Sequence, residues 1–168
     1  AGHKEGATLA CGGGRPKGLD KGYYIEPTVF TDVHPYMKIA QEEIFGPVLP
    51  VITYSSEEEV IDLINAKPKP LALYIFSNRK ALQNKVIRET SAGSACINDC
   101  VLQFTHPNLP FGGVNASGIG KSHGKYGFLA FSNEKPVVKQ RGGFSSSYLL
   151  HPPYTARVKR AIDMMVKW

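Results

Sequence analysis

Residues 41–48 of this 168-residue chain read QEEIFGPV, and they join a helix-forming stretch to a strand-forming one. Pro47 has no N–H group and disfavours α geometry in the residue before it, so a helix through the two glutamates ends here. The apolar run at 48–54 is typical of a buried strand. Glu43 and Phe45 are therefore expected near a sheet end, where α/β proteins bind ligands. The alternative is a helix end with solvated glutamates.

Strand and helix patterns alternate over about fifty residues after this point. Ser56, followed three residues later by Glu59, predicts a capping box at the start of the first helix. The predicted strands are 48–54, 71–76 and 94–98; the second helix is expected to be capped by Ser77 or Asn78. Crossovers of this kind are right-handed and build parallel sheets. The sequence predicts an α/β fold, a three-layer parallel sheet covered by helices.

The flanking regions carry weaker patterns. We expect a short strand at 7–11, an extended segment at 23–33, a short helix at 36–43, a long ordered loop at 98–120 and a helix at 124–131. Beyond them we expect an edge strand at 135–140, a Gly/Ser linker at 141–147 and an amphipathic helix that begins after Thr155. Pro136 favours an edge position for the strand, because proline cannot donate to a ladder.

The net charge of +6 comes from the C-terminal end of the sequence. Residues 121–168 hold nine Lys and Arg against two acidic residues, whereas residues 1–120 are close to balance. Such a region attracts nucleic acid or anionic membrane, or is simply solvated. It lacks aromatic residues at stacking spacing, so nucleic acid is not an expected partner. Docking of the last helix, 155–168, on protein is favoured over a membrane surface.

The sequence contains only weak motifs for a metal site, a phosphate-binding site or a reactive thiol. Three cysteines without a C-x-x-C motif predict reduced thiols and a cytoplasmic location. The five histidines show no metal-ligand spacing, so no metal is expected. Gly120-Lys121-Ser122 ends like a phosphate-binding loop, but Asn115 stands where that motif requires glycine. Cys100 is interpreted as a small buried hydrophobe rather than a reactive thiol.

Several motifs together resemble the aldehyde dehydrogenase superfamily, and within it the class-3 and fatty-aldehyde branch. Beside QEEIFGPV they are GYYIEPTVF at 22–30, PKPLALY at 68–74, PFGGV at 110–114, NASGIG at 115–120, HGK at 123–125 and HPPYT at 151–155. The resemblance implies a C-terminal fragment with an incomplete catalytic-domain fold. Residues 1–134 would be the catalytic-domain part, 135–140 an oligomerisation strand, and 141–168 the linker and C-terminal helix.

The resemblance also implies roles for three residues. Glu43 would bind the ribose hydroxyls of NAD or NADP, Phe45 would lie beside the nicotinamide, and Phe111 would line the aldehyde channel. For Phe111 the alternative is a core phenylalanine in a glycine-rich turn.

In this family a cysteine attacks the aldehyde to form a thiohemiacetal, and the product is a carboxylic acid. None of the three cysteines matches the nucleophile motif, which is expected upstream of Ala1. The chain alone is therefore predicted to be inactive, and the intact enzyme to be a homo-oligomer. The alternative is a non-catalytic α/β assembly module.

Overall fold

The computed structural model describes residues 2–140, 142–143, 145, 147 and 151–166. They form two compact units, Ala1–Phe131 and Ser132–Trp168, which are taken separately below. The strands of the first unit are β1 (Thr8–Cys11), β2 (Thr28–Thr31), β3 (Val48–Pro50), β4 (Ala72–Ile75) and β5 (Ser94–Ile97). Its helices are α1 (Lys38–Gln41), α2 (Glu57–Asn65), α3 (Lys80–Glu89), α4 (Leu102–Thr105) and α5 (Gly124–Ala130); the second unit contains α6 (Ala156–Val166).

The strands form two sheets rather than the single sheet expected. In the first sheet β2 pairs antiparallel with β1 and parallel with β3. In the second, β4 and β5 are parallel and in continuous register, with Ala72 opposite Ser94 and Ile75 opposite Ile97. The β4–α3–β5 crossover is thus as predicted, whereas β3 is bonded to β2 and not to β4. β3 covers only Val48–Pro50 of the predicted 48–54, although the Val51 N–H still donates to the carbonyl of Phe30 at 2.8 Å.

Two small apolar clusters hold the first unit together. One contains Ala7, Val33 and Met37, which lie around the first sheet. The other joins Ile61 of α2, Ile75 of β4 and Val86 of α3, so that both helices cover the second sheet. Large apolar side chains also stay exposed among the described residues, and Ile119 is 101% and Phe131 94% exposed. Exposed apolar surface of this extent is typical of faces that contact further protein.

The start of α2 follows the sequence prediction closely. Ser56 is the N-cap, and its Oγ accepts a hydrogen bond from the Glu59 N–H at 3.2 Å. The return bond of the capping box is shifted by one residue, because Glu59 Oε2 accepts the N–H of Ser55 at 2.8 Å. The Glu59 N–H is thus satisfied as the motif requires, whereas the return bond serves Ser55 instead of the N-cap residue Ser56.

The predicted cap of α3 is wrong. Arg79 occupies the N-cap position and makes no side-chain cap bond. Ser77 lies two residues earlier, where its N–H donates to Asn98 Oδ1 at 2.8 Å and its Oγ accepts the N–H of Arg79 at 3.1 Å. The contact with Asn98, at the end of β5, is a tertiary interaction that local propensity does not reveal.

The remaining predictions of the first unit are confirmed in part. The strand at 7–11 and the helix at 124–131 appear as β1 and α5, and the helix at 36–43 shrinks to α1. The extended segment at 23–33 contains only β2. The loop at 98–120 is ordered: it contains α4 and a 3₁₀ turn at Asn115–Ser117, and it ends in a bridge between Phe111 and Ser122.

In the second unit the predicted strand at 135–140 is absent from the described structure. Val137 and Val138 are 79% and 94% exposed, and neither belongs to a strand of the described structure. The predicted linker at 141–147 is described only at 142, 143, 145 and 147. The last helix forms as predicted, and the Val158 N–H points to Thr155 Oγ1 at 3.5 Å. Within the described ranges no helix has the length and apolarity needed to cross a bilayer.

An exposed ion-pair network joins the two helices that cover the second sheet. Glu57 of α2 lies 2.6 Å from the guanidinium of Arg79, and Glu58 is bonded to the Lys85 ammonium of α3. The hydrogen bond from Lys85 holds the pKa of Glu58 below its ordinary value, and the same bond raises the pKa of Lys85.

Replacing Ile61 by Ala is expected to destabilise the first unit by about 2–4 kcal/mol, because the residue is 5% exposed and its loss leaves a cavity. Ile87→Ala is the matched control: Ile87 is a helical isoleucine that is 45% exposed, and its loss should cost under about 1 kcal/mol. Urea unfolding followed by circular dichroism measures both. Equal losses would contradict the assignment of Ile61 to the core.

Lys85→Met is expected to return the pKa of Glu58 towards its ordinary value, since it removes the hydrogen bond that lowers this pKa. Stability from a lowered carboxyl pKa is present above the unfolded-state pKa and is lost as the pH falls through the folded-state pKa. NMR titration of the Glu58 carboxyl carbon gives the pKa directly. An unchanged titration curve would show that the pair does not form in solution.

Candidate functional site

The turn at 42–47 is held at both ends by backbone hydrogen bonds. On the helix side, the N–H of Glu42 donates to the carbonyl of Lys38 at 3.0 Å and closes α1. On the sheet side, Pro47 accepts the N–H of Thr28 at 2.8 Å, at the start of the parallel β2–β3 pairing. The turn thus lies at the amino end of β3, near one end of the first sheet, as the sequence predicted.

Phe45 is strained and exposed in this turn. Its φ is +46°, a region that non-glycine residues seldom occupy, and its side chain is 93% exposed. Such a conformation costs on the order of 1–3 kcal/mol and occurs most often at functional sites. No core packing compensates for this cost, which indicates a role in contacting a ligand or another part of the protein.

The two adjacent glutamates have different surroundings. Glu42 forms an ion pair with Lys38 at 3.5 Å, one helical turn earlier. Glu43 is exposed, and its carboxylate forms no ion pair among the described residues. The free carboxylate is therefore that of Glu43, the residue assigned to the ribose hydroxyls by resemblance.

Glu43 and Phe45 line two neighbouring clefts that share Ala40, Glu42 and Lys67. Glu43 lies on an open cleft of about 580 Å³, together with Leu71 and Ser117. Phe45 lies on a cleft of about 450 Å³ that reaches Val48 and Ile52. The Lys67 ammonium is hydrogen-bonded to the carbonyl of Ala40, which fixes the wall between them. The structure thus brings Glu43 and Phe45 together on one surface.

Phe111 belongs to a separate aromatic cluster within the loop 98–123. Its ring is stacked on His123, with centroids 5.4 Å apart, and meets Phe104 edge-on at 5.0 Å. It is half-buried and lies outside the linings of both clefts. The same loop nevertheless reaches the Glu43 cleft through Ala116 and Ser117. Both a channel residue and a packed phenylalanine are compatible with this position.

Backbone strain is concentrated in the same loop. Four of its non-glycine residues have positive φ: Asn98 at +57°, Val101 at +67°, Asn115 at +53° and His123 at +74°. Val101 is β-branched, so its left-handed conformation is costly. Strain that a fold retains in one ordered loop points to a functional loop rather than a connector.

Lys121 is the one residue of this region whose role the sequence did not indicate. Its Nζ donates to three backbone carbonyls, those of Gly93, Gly112 and Gly113, at 3.0, 2.5 and 3.3 Å. Every residue has a backbone carbonyl, so the sequence does not indicate which carbonyls a lysine bonds. Only the packing of the loop reveals this contact.

The cysteines and acidic residues form no other centre in the described part of the chain. All three cysteines are free; Cys11 and Cys100 are exposed. The N–H of Cys100 donates to Asp99 Oδ1 at 2.7 Å, and no base contacts its sulfur in the described structure. Cys100 is thus an exposed thiol and not the buried one expected. Nowhere in the described ranges do three His, Cys, Asp or Glu side chains converge as a metal site would require.

Comparisons with known proteins identify the fold. The family model described as "Aldehyde dehydrogenase family" matches residues 1–137. The chain is 48% identical over 150 residues to rat aldehyde dehydrogenase family 3 member A2, covering 89% of this chain and 30% of the rat protein.

Solved structures similar to this chain belong to the same family. One is the substrate-bound state of Staphylococcus aureus AldH, with a TM-score of 0.77 and 41% identity over 94% of this chain and 33% of that one. Another is a Mycobacterium tuberculosis aldehyde dehydrogenase complexed with NAD+, with a TM-score of 0.77 and 42% identity over 86% of this chain and 29% of that one.

The chain spans about a third of the length of these proteins. The resemblance read from the motifs and the α/β fold class are both confirmed, and the relatives include family 3 members as expected. The chain belongs to the aldehyde dehydrogenase family.

Proposed function

We propose that the chain is the C-terminal part of the catalytic domain of an NAD(P)-dependent aldehyde dehydrogenase, which oxidises an aldehyde to a carboxylic acid. The observation that carries the proposal is the turn at 42–47. In a member of this family, it presents a free carboxylate and a strained, exposed aromatic ring on one surface.

The residues of the turn suit the nicotinamide half of such a cofactor. The unpaired Glu43 carboxylate can accept hydrogen bonds from both hydroxyls of a ribose, and bonds to an ionised acceptor are the stronger kind. The exposed ring of Phe45 offers a flat apolar face to the nicotinamide. When bound, NAD or NADP supplies the hydride acceptor of the reaction. Glu43 and Phe45 hold and orient the ring that receives it.

The loop 98–123 is proposed to form the aldehyde side of the site. Phe111 carries an aromatic face held at a fixed angle by Phe104 and His123. An aromatic wall of this kind excludes water from the reacting carbonyl. Ser117 and Ala116 bring the loop to the Glu43 cleft, which supports a common site for cofactor and aldehyde.

The nucleophile is proposed to lie outside these residues, upstream of residue 1. A catalytic thiol needs a base or positive charge that favours its thiolate. In the described structure the sulfur atoms of Cys11 and Cys100 have no hydrogen-bonded base. The chain on its own is therefore proposed to bind cofactor weakly and to leave aldehydes unoxidised.

Assembly and location follow from the same proposal. The exposed residues Val137 and Val138 suit a strand that pairs with another subunit, which would make the intact enzyme a homo-oligomer. The three free cysteines support a reducing, cytoplasmic setting.

Joining the chain to the residues encoded upstream of it in the same reading frame is expected to give NAD(P)-dependent aldehyde oxidation, measured as NAD(P)H absorbance with a panel of aldehydes. The 168-residue chain alone, at the same concentration, is expected to give none. If the joined protein folds but oxidises no aldehyde, the non-catalytic assembly module becomes the better interpretation.

Glu43→Gln in the joined protein is expected to raise the Kd for the cofactor about tenfold, because charge-assisted bonds to the ribose become neutral ones. Glu42→Gln is the matched control and should change the Kd less than about twofold, since Glu42 is paired with Lys38 on an exposed surface. Fluorescence titration with the reduced cofactor gives both values. A larger effect at Glu42 than at Glu43 would reverse the assignment.

A further inference from the structure

Lys121 uses every donor of its ammonium group within the protein. An ammonium has three N–H bonds, and the three carbonyls of Gly93, Gly112 and Gly113 accept them. No carboxylate lies within ion-pair distance of Lys121 in the described structure. With no donor left for a phosphate group, the Gly-Lys-Ser sequence at 120–122 is a structural feature and not a phosphate-binding one.

The three carbonyls come from two chain segments in unusually close contact. A Cβ atom on Gly93 would lie 2.4 Å from the Gly112 oxygen and 2.6 Å from that of Leu71, so only glycine fits there. Carbonyl oxygens that converge in this way repel one another, because each carries partial negative charge. The Lys121 ammonium lies where it offsets that repulsion and bonds the loop to the start of β5.

The three glycines that Lys121 bonds are next to, or in contact with, residues of the proposed site. On one side, Gly93 begins the β5 pairing with β4, where the Ser94 N–H donates to the carbonyl of Leu71, a residue of the Glu43 cleft. On the other side, Gly112 follows Phe111. Gly113 is buried against the backbone of Ser117, another residue of that cleft.

We propose that Lys121 is a positioning residue of the dehydrogenase. Its ammonium fixes the backbone at 111–113 against Gly93, and so sets the place of Phe111 and Ser117 relative to the Glu43 cleft. The inference rests on the proposed function, because it assigns Lys121 to the aldehyde side of that site. Its consequence is that loss of the ammonium moves Phe111 and widens the aldehyde channel. Glu43 and Phe45 are held by α1 and the β2–β3 pairing instead, so cofactor binding and the chemical step remain in place.

The test compares Lys121→Met, which keeps the stem without donors, with Lys121→Arg, which keeps donors and charge. Lys125→Met is the matched control, because Lys125 is an exposed lysine nearby with no partner in the described structure. In the 168-residue chain, amide hydrogen exchange is followed at Phe111, Ser117, Gly118 and Ser122, whose N–H groups bond within the loop. Amides of α2 and α3 serve as internal references.

Lys121→Met is expected to speed exchange at the loop amides about tenfold, because three charge-assisted bonds are lost, with the reference amides unchanged. In the joined protein it should raise KM for the aldehyde about tenfold and change kcat and cofactor Kd less than about twofold. In Lys121→Arg, loop exchange and the aldehyde KM should change much less than in Lys121→Met. Lys125→Met should change neither quantity.

The outcomes separate the two proposals. Unchanged loop exchange in Lys121→Met overturns the role of Lys121, whatever the activity. Faster exchange with an unaltered aldehyde KM also overturns it, since a merely structural residue lowers the folded fraction and leaves KM as it was. If the joined protein with Lys121 intact oxidises no aldehyde, the proposed function fails, and with it the assignment of Lys121 to an aldehyde channel.

Discussion

The close approach of two glycine backbones, at Gly93 and at Gly112, is the contact on which the functional half of the first unit depends. No side chain fits between these segments, and the carbonyl oxygens that face one another would repel without a donor. Lys121 supplies three donors from a residue further along the same loop. The loop contains α4 and a 3₁₀ turn, and this contact between distant residues holds it against the start of β5.

The rest of the site is built around a turn whose conformation is fixed by its ends. α1 closes on one side, and the β2–β3 pairing begins on the other, so the residues between them have little freedom. Phe45 is left in a left-handed conformation with its ring in solvent. A fold retains such strain where the exposed group has a use, and cofactor binding in this family is a use that suits an aromatic face.

The small apolar clusters explain why this chain is best understood as a portion of a larger structure. Two groups of three buried side chains stabilise the sheets, while aromatic and aliphatic side chains such as Phe131 and Ile119 remain almost fully exposed. The relatives that the chain matches are about three times as long.

The sequence by itself determined the family, the α/β class and most helices, because these depend on local signals: the EEIFGPV and PFGG motifs, the Ser56–Glu59 cap and the apolar periodicity of α2 and α3. It also predicted cofactor-binding roles for Glu43 and Phe45, by resemblance to the family. Only the tertiary structure decided that β3 joins β2, that Ser77 is held by Asn98 rather than capping α3, and that Glu42 is paired while Glu43 is free. It alone showed Lys121 between three carbonyls. Each of these depends on groups brought together from separate parts of the chain, most of them backbone atoms that every residue carries, and a sequence does not record where those atoms meet.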